Sequence, residues 1–322
     1  MKKSLFVLGM AVAALASCTN EEVTEIAQSN AIGFNTFVNN NTKAVTPVES
    51  LTSDFYVFGN FGTDQSTWTG QVFNNELSTE RYYWQQGNYY RFGAYANGAN
   101  GKIDNAKFIA STQTLEFESY TPDDAKDLVA AIGTGDASAS IPADKVSLSF
   151  SHMLAQVGFT FKTQDGDEYT IAISDIKILK AVKTAKGTFT PSEIKWEGTA
   201  ETDAAYTYEN IADIADGKDH QQYKLVIPQP LPSDNNKIQV TFKAAISGAG
   251  LTAGPTNEKV FTLDLTSPDT EGWKPGYCYN YTATVNGSNI NDQLKPIEFT
   301  VTSVAGWQNA TMGDDGTILP TD

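Results

Sequence analysis

Residues Val146-Ser-Leu148-Ser-Phe150-Ser-His152-Met-Leu154-Ala155-Gln-Val157-Gly-Phe159-Thr-Phe161 alternate apolar with small or polar side chains, break at the centre, and alternate again. Successive side chains of a strand point to opposite faces, so this period of two predicts two half-buried strands, Val146–Phe150 and Val157–Phe161. The same signature continues in both directions, in runs rich in Val, Ile, Thr, Phe and Tyr set between clusters of Gly, Asn, Asp and Pro. It predicts strands at Phe55–Phe61, Tyr89–Tyr95, Tyr169–Leu179, Tyr223–Ile227, Ile238–Ile246, Val260–Leu265, Tyr277–Val285 and Ile297–Val301. Within Tyr169–Leu179 the apolar parity changes between Ile173 and Ile176, which predicts a bulge at Ser174-Asp175. Asp123–Ile132, opening after Thr121-Pro122, is the best candidate for a short helix or turn. No alternation of strands with long helical patterns occurs, so the fold class is all-β with antiparallel sandwiches.

The first residues place the chain. Lys2 and Lys3 precede an apolar run, Leu5–Ala16, too short to span a bilayer, and the pattern is that of a signal peptide. It ends in Leu15-Ala16-Ser17-Cys18, which resembles a bacterial lipoprotein lipobox and makes Cys18 the expected site of lipidation, by acyl chains such as palmitate. Residues 1–17 are then the signal peptide and 18–30 an acidic tether carrying Glu21, Glu22 and Glu25. That patch resembles the export tag of surface lipoproteins of the Bacteroidetes, and a plain solvated linker is the alternative. The expected location is the outer membrane or cell surface of a didermal bacterium, with the protein anchored by lipid at least as a precursor.

Removing 17 of 322 residues leaves about 305, more than one small sandwich holds, and two domains are expected, 31–165 and 166–322. The division falls at the polar turn Gln164-Asp165-Gly166-Asp167.

Composition excludes several functions. With 22 Lys and Arg against 38 Asp and Glu the formal charge is −16, and loss of Lys2 and Lys3 takes it to 20 − 38 = −18. Phosphate backbones need clustered cations, so nucleic acid is not an expected partner. The two histidines, His152 and His220, are distant and lack ligand-spaced companions, and no nucleophile elbow, P-loop or zincin motif occurs. The chain is not expected to be an enzyme, to use a cofactor or to hold a metal. Asp123-Asp124, Asp165-x-Asp167 and Asp314-Asp315 lack a complete calcium loop and read as solvated turns. Cys278, between Tyr277 and Tyr279, is the one cysteine left once Cys18 is lipidated; it reads as a buried small hydrophobe rather than a nucleophile. The 14 tyrosines and 5 tryptophans leave open a sugar-stacking surface, although aromatics on alternating strands ordinarily pack across strands.

Several segments together resemble the fimbrillin family, the subunits of Bacteroidetes type V pili and their Mfa-like relatives. They are Tyr83-Trp84 with Tyr90-Arg91-Phe92-Gly93-Ala94-Tyr95; Phe150-Ser-His152-Met-Leu154-Ala155-Gln-Val157-Gly-Phe159; Pro275-Gly276-Tyr277 with Tyr279 and Tyr281; and the ending Ile297-Glu-Phe299 through Val304 to Trp307. The resemblance implies two tandem transthyretin-like sandwiches, export as a lipoprotein, and assembly with other copies or related pilin subunits by strand exchange after N-terminal cleavage. A host or bacterial surface ligand is a further expected partner.

For this chain the displaced strand would carry Ile32, Phe34 and Val38, and the donor strand Ile297, Phe299 and Val301, with Ile318 and Leu319 beyond. Family subunits are cut after a basic residue, commonly arginine. Here no arginine precedes Arg81, and Lys43, before Ala44, is the basic residue in place. It is either the processing site or a solvated loop lysine. Uncut, the chain would keep lipid and first strand and act as an anchor, an accessory subunit or a glycan-binding surface lipoprotein.

Overall fold

The computed structural model describes residues 30–39, 54–98, 101–164, 169–218, 220–232, 236–248, 250, 257–266, 272–291, 297 and 299–306. The eight strands β1 (Phe34–Asn39), β2 (Tyr56–Gly62), β3 (Gly70–Leu77), β4 (Asn88–Asn97), β5 (Ala106–Ile109), β6 (Thr114–Tyr120), β7 (Leu128–Ala137) and β8 (Val146–His152) come first. Then follow β9 (Ala155–Lys162), β10 (Thr170–Leu179), β11 (Val182–Phe189), β12 (Ile194–Ala200), β13 (Ala204–Thr207), β14 (His220–Val226), β15 (Gln239–Ser247), β16 (Glu258–Asp264) and β17 (Tyr277–Thr284). One helical turn, α1 (Gly287–Asn291), precedes β18 (Phe299–Gly306). The fold is therefore all-β, as the period-two pattern requires.

Among the described residues four sheets form, in the orders β1-β8-β7-β4-β2-β3, β12-β11-β6-β5, β13-β10-β15-β16 and β14-β9-β17-β18. The first sheet is apolar on both faces. One face gathers Val57, Phe73, Phe92, Val129, Leu148 and Phe150 into a core. Phe58, Tyr95, Leu128 and Ala130 on the other meet Leu115, Phe117 and Phe189 of the second sheet. The third and fourth sheets enclose the largest core, with Val157, Phe159 and Phe161 of β9 against Ile171, Ile173, Val240 and Phe242.

The sheets interleave strands from both sides of residue 165. Strand β9 lies with β14 and β17, while β11 and β12 return to pair beside β6. The connection through Met153 and Leu154 is fully buried. It is held by Trp196 Nε1–H donating to Met153 O at 2.7 Å and Gly276 N–H donating to Leu154 O at 2.7 Å.

The bulge expected in β10 is present: pairing with β15 breaks between Ser174 and Lys177, and Asp175 has φ 54°. Ile171, Ile173, Ile176 and Ile178 are in consequence all buried. Of the helix or turn expected at Asp123–Ile132, the start is a turn and the rest is corrected to strand. Residues 123–126 make a turn, with Lys126 N–H donating to Asp123 O, and Leu128 begins β7. That strand is paired along its whole length with β4 and covered on both faces, so Leu128-Val-Ala-Ala-Ile132 loses the alternation that identifies a strand.

Candidate functional site

The candidate site is the N-terminal edge of the first sheet. β1 pairs with β8 in the parallel sense, from Phe34↔Val146 to Asn39↔Ser151. Just before β1 the chain runs beside another segment, with Ala31 bridged to Tyr83, Ile32 N–H donating to Tyr82 O at 2.8 Å, and Trp84 N–H donating to Asn30 O at 2.9 Å. The alternation places Ile32 and Val38 in the core and Asn35 and Phe37 outside, as the sequence pattern requires. Between them Phe34 enters a socket of three phenylalanines, meeting Phe55, Phe73 and Phe92 edge to face at 5.8, 5.6 and 5.6 Å. Burying three such side chains is worth roughly 1.5–3 kcal/mol each.

Strand β8 depends on this partner. On its other side its register pairs with β7 are Val129↔His152 and Ala130↔Ser151, and a groove of about 640 Å3 lies over this part of the sheet, lined by Gly133–Asp136, Ser147, Ser149, Phe189 and Pro191. From Val146 to Phe150 the register pairing of β8 comes from β1. Removing β1 would leave that stretch as an unpaired edge over an opened core, a template for another strand.

The opposite terminus is also an edge strand. β18 pairs antiparallel with β17, from Ala283↔Phe299 to Tyr277↔Gly306. Ile297 is buried, and Phe299 meets Phe159, Phe161 and Phe242 at 5.5, 5.8 and 5.9 Å. Ile297 and Phe299 are thus seated in the core between the third and fourth sheets, and Val301 continues the same paired strand. Cys18, Lys43, Ala44, Ile318 and Leu319 lie outside the described residues.

The Fimbrillin-like family profile matches residues 19–307. The chain belongs to the fimbrillin-like family. Among solved structures, it is similar to a fimbrial protein from Bacteroides vulgatus, with 15% identity and a TM-score of 0.52 over 87% of this chain and 100% of that one. It is equally similar to a candidate cell adhesion protein from Bacteroides ovatus, with 15% identity and a TM-score of 0.51 over 87% and 98%. At that identity these likenesses show a shared fold. None of the curated proteins matches this sequence.

Several titratable groups of this fimbrillin-like chain make structural contacts. His152, buried on β8, lies with Nδ1 2.7 Å from Asp127 Oδ2, and His220 Nε2 lies 2.9 Å from Asp216 Oδ1. Burial pushes the Cys278 thiol up to about 11, partly opposed by a hydrogen bond with Tyr223, the reverse of what a nucleophile needs. Asp123 pairs with Lys126, and Asp124 binds Lys224 and the Leu225 amide. Among the described residues no three His, Cys, Asp or Glu side chains converge as metal ligands.

The aromatics of the fimbrillin-like chain pack as cross-strand geometry directs. Trp84 and Trp273 are buried, Trp196 is tied to Met153, and Arg91 lies over the ring of Trp68 at 4.3 Å. The pairing of residues 30–32 with Tyr82–Trp84 carried no sequence signal, because it joins segments some fifty positions apart through backbone groups alone.

Proposed function

We infer from membership of the fimbrillin-like family a pilus-associated role at the cell surface. Within that role we propose that the chain is a structural pilus subunit, exported as a lipoprotein on Cys18 and linked to its neighbours through the position of β1 after cleavage between Lys43 and Ala44. The supporting observation is the construction of β1 itself. It is a short edge strand, near the N-terminus, that fills an apolar socket and supplies the pairing of β8. An apolar socket beside an unpaired strand edge favours capture of another strand, through main-chain hydrogen bonds and side-chain pockets.

Retention of β1 is the second reading, favoured by the absence of any arginine before Arg81. The uncut chain would then anchor or cap a pilus through its lipid.

Electron microscopy of the native cell surface with an antibody to this chain tests the role. Labelled filaments are expected, and label confined to the membrane surface with none on filaments contradicts a subunit role. In the same cells, Cys18→Ala should leave the chain as unprocessed precursor or release it from the membrane fraction; unchanged partition contradicts lipidation.

A further inference from the structure

The outer face of the first sheet changes character where the second sheet stops covering it. Along β7 that face carries Leu128, Ala130 and Ile132, which join the core holding Leu115, Phe117 and Phe189, and then Thr134 and Asp136, which are exposed. On β8 the same face carries Ser147, Ser149 and Ser151, while Val146, Leu148 and Phe150 lie in the opposite core. The groove of about 640 Å3 lies over these short polar side chains, with Phe189 and Pro191 also lining it. That volume falls within the roughly 300–1,000 Å3 of small-molecule sites.

Hydroxyls dominate the floor. Thr134, Ser147 and Ser149 are exposed and Ser151 is half-buried, and none of the four hydroxyls has a hydrogen-bond partner among the described residues. A hydroxyl both donates and accepts, so such a row complements a ligand whose own groups do the same. Strand geometry spreads Ser147, Ser149 and Ser151 over about 14 Å, longer than a single sugar ring. β1 supplies an apolar rim: Phe37 stands in register with Ser149 on the same face and is 38% exposed, and Asn35 stands in register with Ser147. An exposed ring beside a row of hydroxyls matches the two surfaces of a pyranose, its apolar C–H face and its hydroxyl edge.

Charge and backbone pairing disfavour the other ligand classes. Among the described residues that line the groove Lys145 is the single cation, with Asp144 next to it and Asp136 nearby, so nothing there would hold a phosphate, a sulfate or an acidic sugar. One oxygen of Asp136 is already engaged by the Ser138 amide and hydroxyl. An extended peptide docks most readily by adding a strand to an open sheet edge. Here the floor is the face of a sheet, and β8 is paired with β1.

We propose that this groove binds a neutral oligosaccharide, laid along β8 with a sugar face on Phe37 and its hydroxyls exchanging hydrogen bonds with Thr134, Ser147 and Ser149. The site is separate from the pilus role described above and does not depend on it.

A binding array offered to the uncut full-length protein tests this, with neutral glucans, mannans, xylans and galactans beside sialylated glycans, sulfated glycans and extended peptides. At least one neutral series should be retained. The double change Ser147→Val with Ser149→Val should weaken its binding at least about tenfold, as the loss of two hydrogen bonds implies, and Phe37→Ala should weaken it as well. All three positions are exposed, so the thermal midpoints should stay in place. If the double variant melts earlier than the parent, Phe37→Ala alone decides. Retention of acidic glycans or peptides with no neutral glycan overturns the proposal, as does an array on which nothing binds. Neutral binding that both variants leave unchanged places the site elsewhere and overturns it too.

Discussion

The ring of Phe34 stands edge to face against Phe73, centroids 5.6 Å apart, although their strands, β1 and β3, are the opposite edges of one six-stranded sheet. The contact means that the sheet rolls until its edges meet over the core. A side chain on the outermost strand thereby becomes a structural centre, and an edge strand is also the one that closes the core.

Phe34→Ala should therefore cost about 2–3 kcal/mol, toward the lower end for a buried aromatic because the residue is only half-buried. Phe37→Ala, on the exposed outer face of the same strand, should change stability by less than about 0.5 kcal/mol. Urea unfolding midpoints of the two variants check this. Equal losses would mean that β1 is not held by its inward face.

How much of this was legible depends on whether the deciding contacts are local. The inward set Ile32, Phe34 and Val38 is visible because alternation on an edge strand is a local property, and it survives intact in the fold. The bulge at Asp175 is visible for the same reason, as a change of parity. Strand β7 is not, because a strand covered on both faces has no alternation, and Ala130-Ala131 suits a helix equally well. Val182–Phe189 is polar enough to resemble a loop, yet it becomes a central strand because β6 and β12 flank it. The seating of Phe299 beside Phe159, Phe161 and Phe242 is not legible in this way, because those rings come from distant strands.

Asp124 ties the two halves of the chain together. Its Oδ1 accepts from the Leu225 amide at 3.1 Å and its Oδ2 pairs with Lys224, one hundred positions away. Asp124→Ala leaves that amide without its partner and should cost about 1–2 kcal/mol. Asp123→Ala removes an exposed pair with Lys126 and should cost about 0.5 kcal/mol or less. Thermal or urea melts of the pair decide, and equal costs would remove the bridging role of Asp124.

Cys278 gives a pH dependence with a definite sign. Burial raises its thiol from 9.0 to about 11, so the fold favours the neutral form. Its contribution to stability is complete below about pH 9 and is lost as pH rises from 9 toward 11. At pH 8 the native thiolate fraction is about one in a thousand, against about one in ten unfolded. Iodoacetamide should thus modify Cys278 about a hundredfold more slowly in the native protein than in urea, as followed by peptide mass. Comparable rates would mean that the thiol is not held in an apolar setting.

The central claim is that β1 is a removable strand on which β8 depends, and amide hydrogen exchange at Val146, Leu148 and Phe150, whose N–H groups face β1, tests it most directly, in the full-length protein before and after cleavage following Lys43. In the intact chain these amides should be protected by their pairing with β1. After the cut and removal of the released peptide, product beginning at Ala44 should lose that protection, and adding the peptide of residues 30–40 should restore it. Protection that persists once β1 has gone would contradict the account, as would a first cleavage product that begins elsewhere while β1 stays in place.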